Sequence, residues 1–168
     1  STFTGQVTAW SGSLKYGANN IWGDTASINV GSSGTLDIGT YSDTVGSVDF
    51  GGQAIGSGTL TATNSFSCAS GTSTTIGINL AGAPNEFYVG GGTTLTLTGA
   101  NNFTGQLMID SDSNTVIGST QSLKFPTIVD WGVLRFDQST AGTYAGTISG
   151  GGSVEKVNSG TLTLSGSN

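Results

Sequence analysis

The string Asp110-Ser111-Asp112-Ser113-Asn114 sets three oxygen-bearing side chains at alternate positions. That is the opening spacing of a calcium loop, in which carboxylates and a side-chain carbonyl surround a hard cation. The spacing then departs from such a loop. Thr115 stands where the sharp turn needs Gly, and Gln121 stands where a bidentate Glu closes the shell. The string therefore reads first as an acidic strand edge or turn, with weak surface Ca²⁺ binding at Asp110, Asp112 and Asn114 as the alternative. No other metal site is expected. Paired carboxylates suggest a second chemistry, cleavage of glycosidic bonds. Hydrolysis needs two carboxyl groups about 5–5.5 Å or about 6.5–9.5 Å apart. The candidate pairs are Asp110 with Asp112 and Asp130 with Asp137. Elimination would also need a basic side chain, and Lys124, Arg135 and Lys156 are the ones near these acids. Arg135 and Asp137 flank Phe136 in ordinary strand phase, so solvated strand charge is the simpler reading, and no catalytic residue is assigned.

Binding residues are easier to nominate. Trp10, Tyr16 and Trp22 cluster near the N-terminus, and Phe87 and Tyr88 are expected in the loop around Pro84. Exposed rings stack on the C–H faces of sugars; the same rings also serve to cap an open hydrophobic core. Ser119 to Trp131, reading STQSLKFPTIVDW, breaks the surrounding pattern and reads as a loop or irregular coil. Recognition concentrates on loops carried by rigid scaffolds, so Lys124 in this stretch is the remaining interaction candidate. Cys68, flanked by Ser67 and Ala69, has no neighbouring base or cation to activate a thiolate. It reads as a small buried hydrophobe, with an intermolecular disulfide as the alternative.

Composition narrows the function classes. The chain has 168 residues, no His, 4 Lys and Arg, 10 Asp and Glu, and a formal net charge of −6. Without His there is no Ser-His-Asp or Cys-His catalysis and no imidazole metal ligand. Four basic residues cannot track a phosphate backbone, so nucleic acid and anionic membrane are unexpected partners. A single Cys closes no internal disulfide. No apolar run approaches the ~20 residues needed to span a bilayer as a helix. No charged-then-apolar segment opens the sequence, which therefore reads as a mature chain or an excised piece. Gly contributes 29 residues, Thr 26 and Ser 23. Such a composition can signal disorder, but here apolar and polar residues alternate, and Thr, a strand-favouring residue, is the main polar partner.

The elements that must position these residues are strands. Five segments share a Gly followed by Leu-x-apolar: Gly34 to Ile38, Gly58 to Ala62, Gly92 to Leu97, Gly132 to Phe136 and Gly160 to Leu164. Residues two apart share a strand face, so Leu95 and Leu97 face a core while Thr94, Thr96 and Thr98 face water. Glycine interrupts every helical window, at about 1 kcal/mol per position; Ser119 to Leu123 is the best stretch for a short helical turn. The segments start 24, 34, 40 and 28 residues apart, mostly within the solenoid range of roughly 20–50 residues. The expected fold is all-β, a parallel β-helix of one domain whose coils bury their inward residues by stacking. Asn101, Asn158 and Asn168 fall at strand ends, where stacked amides would form ladders. An antiparallel sandwich is the rival, but its usual Asn-Gly or Asp-Gly hairpins are absent.

Ser1-Thr2-Phe3-Thr4-Gly5-Gln6 recurs as Asn101-Asn102-Phe103-Thr104-Gly105-Gln106, and the chain ends in Gly160-Thr161-Leu162-Thr163-Leu164-Ser165-Gly166-Ser167-Asn168. Its end stops where the next Phe-Thr-Gly-Gln is due, so the termini are in phase with a longer array or an end-to-end polymer. Gly151 to Asn168 resembles the repeat of bacterial autotransporter passenger domains. Thr94 to Gly105, Trp131 to Gly150 and Tyr41 to Thr63 are similar to other stretches of such proteins. The resemblance spans about three quarters of the chain. It implies a right-handed parallel β-helix displayed outside the cell as a structural or adhesive element, with no cofactor and no shared catalytic motif to carry over. Three functions follow as expectations: a structural element whose copies associate head to tail into a fibre; a monomeric adhesin binding host or matrix glycans; or a polysaccharide-degrading β-helix.

Overall fold

Alternation of small β-branched and apolar residues, broken every few positions by Gly, leaves the chain only short strands and sharp corners. The computed structural model describes residues 1–120 and 123–168. Gln121 and Ser122 lie outside the described residues, and with them the middle of the short turn expected at 119–123. The Leu123 N–H donates to the Thr120 carbonyl at 3.1 Å. Among the described residues there is no α-helix and every strand pair is parallel.

The coils follow in order. The first holds β1 (Gln6–Lys15), the second β2 (Ser27–Gly39), the third β3 (Asp43–Phe50) and β4 (Gln53–Gly56). The fourth holds β5 (Thr59–Cys68) and β6 (Ser73–Ile76), and the fifth β7 (Asn79–Gly82), β8 (Glu86–Val89) and β9 (Thr94–Leu97). The sixth holds β10 (Asn102–Phe103), β11 (Gln106–Ile109) and β12 (Asn114–Ile117), and the seventh β13 (Thr127–Asp130) and β14 (Val133–Asp137). The eighth holds β15 (Gly142–Tyr144), β16 (Thr147–Ser149) and β17 (Ser153–Val157), and β18 (Leu162–Leu164) continues beyond it. The expected parallel β-helix is therefore the architecture observed.

Together the coils build three faces. The second face stacks the first half of β1, the first half of β2, the second halves of β3 and β5, then β8, β11, β13 and β16. The third face stacks the remaining halves of β1 and β2 on β4, β6, β9, β12, β14 and β17. The first face holds the opening halves of β3 and β5 with β7 and β10, and, separately, the pair β15–β18. Along the second face, partners are 18 to 21 residues apart, from Gln6 with Ser27 to Thr127 with Thr147. This explains the irregular 24-to-40-residue spacing of the Leu-x-apolar strings. Those at Leu36, Leu95 and Leu134 lie on the third face, and those at Leu60 and Leu162 on the first.

The core is a set of columns parallel to the axis. Val7, Ile28, Val48, Phe66, Phe87, Leu107, Ile128 and Ile148 share one register. Phe50, Phe66, Phe87, Phe103 and Phe125 form a continuous aromatic stack, with ring centroids 4.2 to 6.5 Å apart. Each such ring contributes about 1.5–3 kcal/mol by burial. Coils approach so closely at some corners that a side chain is excluded: a Cβ on Gly58 would lie 1.7 Å from the Tyr41 carbonyl oxygen. The expected amide ladder is replaced by a different device. Asn101 Oδ1 accepts the Leu80 N–H at 3.3 Å, Asn79 Oδ1 accepts Ala100 N–H at 2.9 Å, and Asn168 Oδ1 accepts Ile148 N–H at 2.8 Å. Through these bonds the amides satisfy backbone groups of an adjacent coil. Asn158 adopts a left-handed φ of 64° and donates to Asp137 instead.

Candidate functional site

The regular stack breaks once on the first face. After β12 the chain enters a stretch without Gly/Thr alternation, and Pro126 removes a backbone donor while holding Phe125 extended. Leu123 to Pro126 form no strand, and among the described residues β15 pairs with β18. A cavity of about 630 Å³ opens there, between Leu123–Pro126 and Ala141–Gly146. Tyr144 spans the break, its Oη donating to the Phe125 carbonyl at 3.0 Å, and burial pushes its hydroxyl pKa up to about 12. Lys124 stands exposed beside it. With one cation and threonine hydroxyls among its lining, this groove offers binding chemistry. The loop of the sequence reading is shorter than expected, because 127–130 is the regular strand β13.

The N-terminal aromatics separate into three roles. Tyr16 is only 1% exposed, so it is a core residue and not the ligand contact that its neighbourhood suggested. Trp22 is half-buried, and Phe3 meets it edge-on at 5.8 Å, which is capping geometry. Tyr16 and Trp22 both lie against Asp43, which shares an inward register with Leu60. Asp43 Oδ2 accepts Trp22 N–H at 3.2 Å and Oδ1 accepts Thr44 N–H at 2.9 Å, yet burial still raises its pKa. Burial likewise raises the Tyr16 hydroxyl, which faces the Asp43 carboxylate and the Trp22 indole. Trp10 alone stands free, 72% exposed.

Phe87 and Tyr88 are not in a loop but on β8, on opposite sides of the wall. Phe87 is fully buried in the aromatic stack, so it is not a ligand contact. Tyr88 points outward and donates to Asp110 Oδ2 at 2.6 Å. That bond lowers the Asp110 pKa and raises that of Tyr88. Asp110 Oδ1 accepts Ser111 N–H at 2.8 Å, so both of its oxygens are engaged locally. Asp112 occupies an exposed corner at φ 59°, and Asn114 begins β12 with its Oδ1 buried and unpartnered. The Asp-x-Asp-x-Asn string is thus a solenoid corner rather than a loop, and Gln121 of its expected closure lies outside the described residues. Among the described residues, no group of three His, Cys, Asp or Glu side chains is placed to hold a metal.

Asp130 and Asp137 fall on opposite sides of the coil wall, so they cannot flank one glycosidic bond. Asp130 points inward, 2% exposed, in register with Ile109. Its Oδ1 accepts Gly132 N–H at 3.0 Å, its Oδ2 has no partner, and burial raises its pKa. It lines a second cavity, about 200 Å³, at the C-terminal end of the stack with Ile148, Val154 and Leu164. Asp137 points outward and accepts from Asn158. Arg135 pairs with Glu155 at 2.7 Å, and Lys156 donates to the carbonyls of Gln138, Val157 and Asn158. Cys68 is buried, and desolvation raises its thiol well above the usual range. Sequence reasoning missed Trp131, 56% exposed at a corner. The available signal was the Trp-Gly pair directly after a strand. Comparison with protein-family models, curated proteins and solved structures finds no match to this chain.

Proposed function

We propose that the chain is an extracellular structural and adhesive β-helix of a bacterial surface protein, and that copies associate head to tail into a fibre. The observation that carries this is a pair of unpaired strand edges running in the same direction at the two ends. Among the described residues, β1 pairs only with β2, while β16 and β17 pair only with β13 and β14. An unpaired edge templates the addition of another strand. Because every pair is parallel, the first coil of a second copy continues the ladder without reversing it.

The C-terminal end also leaves core residues uncovered. Val154 is 45% and Leu164 39% exposed beside the end cavity. Burying them favours association by about 25 cal/mol per Å² of apolar area. Such a contact joins two different surfaces, so it does not close and propagates. The resemblance of Thr94–Gly105 and Gly151–Asn168 to passenger repeats supports the extracellular, surface-displayed setting. Sedimentation velocity across a concentration series tests the reading. Association that grows with concentration, and is lost in Val154→Lys, is expected; a monomer at every concentration contradicts it.

A further inference from the structure

Following the register past the second face places the two most exposed tryptophans on one line. Trp10 follows Ala9, which pairs with Val30; Trp131 follows Asp130, which pairs with Ile109. The corner residues between them, coil by coil, are Gly31, Gly51, Ala69, Gly90 and Asp110. The ladder continues through them, since Gly51 N–H bonds Val30, Gly90 N–H bonds Cys68, Asp110 N–H bonds Val89 and Trp131 N–H bonds Ile109. Trp10 and Trp131 are therefore six coil steps apart, about 29 Å at the usual strand spacing.

Both rings are seated in the same way. A Cβ on Gly151, in the coil after Trp131, would lie 3.2 Å from Cζ3 and 3.4 Å from Cε3 of the indole. A Cβ on Gly31, in the coil after Trp10, would lie 3.2 Å from Cε3 of that indole. Each indole thus lies against a glycine of the next coil while much of the ring stays in water, with Trp10 72% and Trp131 56% exposed. Between them no side chain larger than a methyl projects until Asp110, whose carboxylate is drawn back onto Tyr88 at 2.6 Å.

We propose that this edge binds a linear, uncharged polysaccharide laid along the solenoid axis, with Trp10 and Trp131 stacking on its sugar rings. Aromatic faces supply apolar area for the C–H faces of the sugars. Thr8, Asn29, Asp49 and Ser67 lie in one outward register on the second face, two positions from the edge, and offer hydroxyl, amide and carboxylate partners for sugar hydroxyls. Asp49 and Asp110 beside the edge, in a chain of net charge −6, repel an acidic polymer. A protein partner would need a contiguous apolar centre, whereas this edge has two separate platforms joined by bare backbone. The inference rests on register and ring seating, and stands whether or not copies form a fibre.

Isothermal titration calorimetry with cello-, xylo-, laminari- and chito-oligosaccharides of graded length tests it, with polygalacturonate as the charged comparator. Affinity for the recognised sugar is expected to rise about 100-fold or more once the oligosaccharide exceeds about 29 Å. Trp10→Ala or Trp131→Ala should return long ligands to the affinity of short ones, while Thr96→Ala, on the outward side of the third face, leaves binding unchanged. Both tryptophans point outward, so circular dichroism and Tm of the variants should match the parent chain. The proposal is overturned by absence of binding to all four neutral series, by undiminished binding in both Trp variants, or by tighter binding of polygalacturonate.

Discussion

Phe87 and Tyr88 are adjacent in sequence and opposite in consequence, which makes their truncation a direct probe of register. Phe87 is fully buried, with the rings of Phe66, Phe103 and Phe50 at 5.8, 6.1 and 6.5 Å. Phe87→Ala leaves a cavity inside a column that spans the molecule and should cost about 3–5 kcal/mol. For a chain of this length each kcal/mol lowers Tm by roughly 2–4 °C, so a fall of roughly 6–20 °C is expected. Tyr88→Ala removes an outward ring and should change stability by no more than about 0.5 kcal/mol. Urea unfolding followed by tryptophan fluorescence and far-ultraviolet circular dichroism measures both, with the denaturant slope held as a check on the unfolded state. A slip of one residue in β8 would exchange the two faces. Equal costs, or a larger cost for Tyr88→Ala, would refute the register and the column built on it.

Asp130→Asn should be more stable than the parent at pH 7. Burial raises the native carboxyl above its unfolded value, so its stabilising contribution is complete below about pH 4 and is lost as pH rises through the raised value. The gap between the two proteins should therefore close on acidification in a Tm series from pH 3 to 8, and a less stable Asp130→Asn at pH 7 would contradict the inward placement. Asn101→Ala orphans the buried Leu80 N–H and should cost about 1–3 kcal/mol; Asn79→Ala, whose bond lies at an exposed corner, should cost less in the same denaturant titration. Cys68 should resist a soluble disulfide reagent in the native state and react only on unfolding, and rapid native labelling would contradict its burial.

The strand character of the chain was legible because Leu-x-Leu and Thr-x-Thr alternate at Leu95–Leu97 and Leu162–Leu164 whatever the coil geometry. The coil length was hidden, because the repeated strings at Leu60 and Leu95 lie on different faces and their spacing mixes whole coils with fractions of one. Inside and outside were ambiguous wherever neighbours are uniformly small. Phe87-Tyr88 carries one apolar and one amphipathic ring, and only pairing with Phe66 and Leu107 decides which turns inward. Tyr16 and Trp10, six residues apart, looked alike in sequence but differ completely in exposure. Trp131 passed unnoticed because its role depends on Gly151, a full coil later.

Electron microscopy of the chain across a concentration series tests the head-to-tail reading most directly. A single copy has about eight coils, a rod of roughly 40 Å along the axis. Unbranched filaments that lengthen with concentration, with a repeat of about 4.7–4.9 Å along their axis, are the expected result. Isolated rods of single-copy length at the highest concentration would contradict end-coil strand addition.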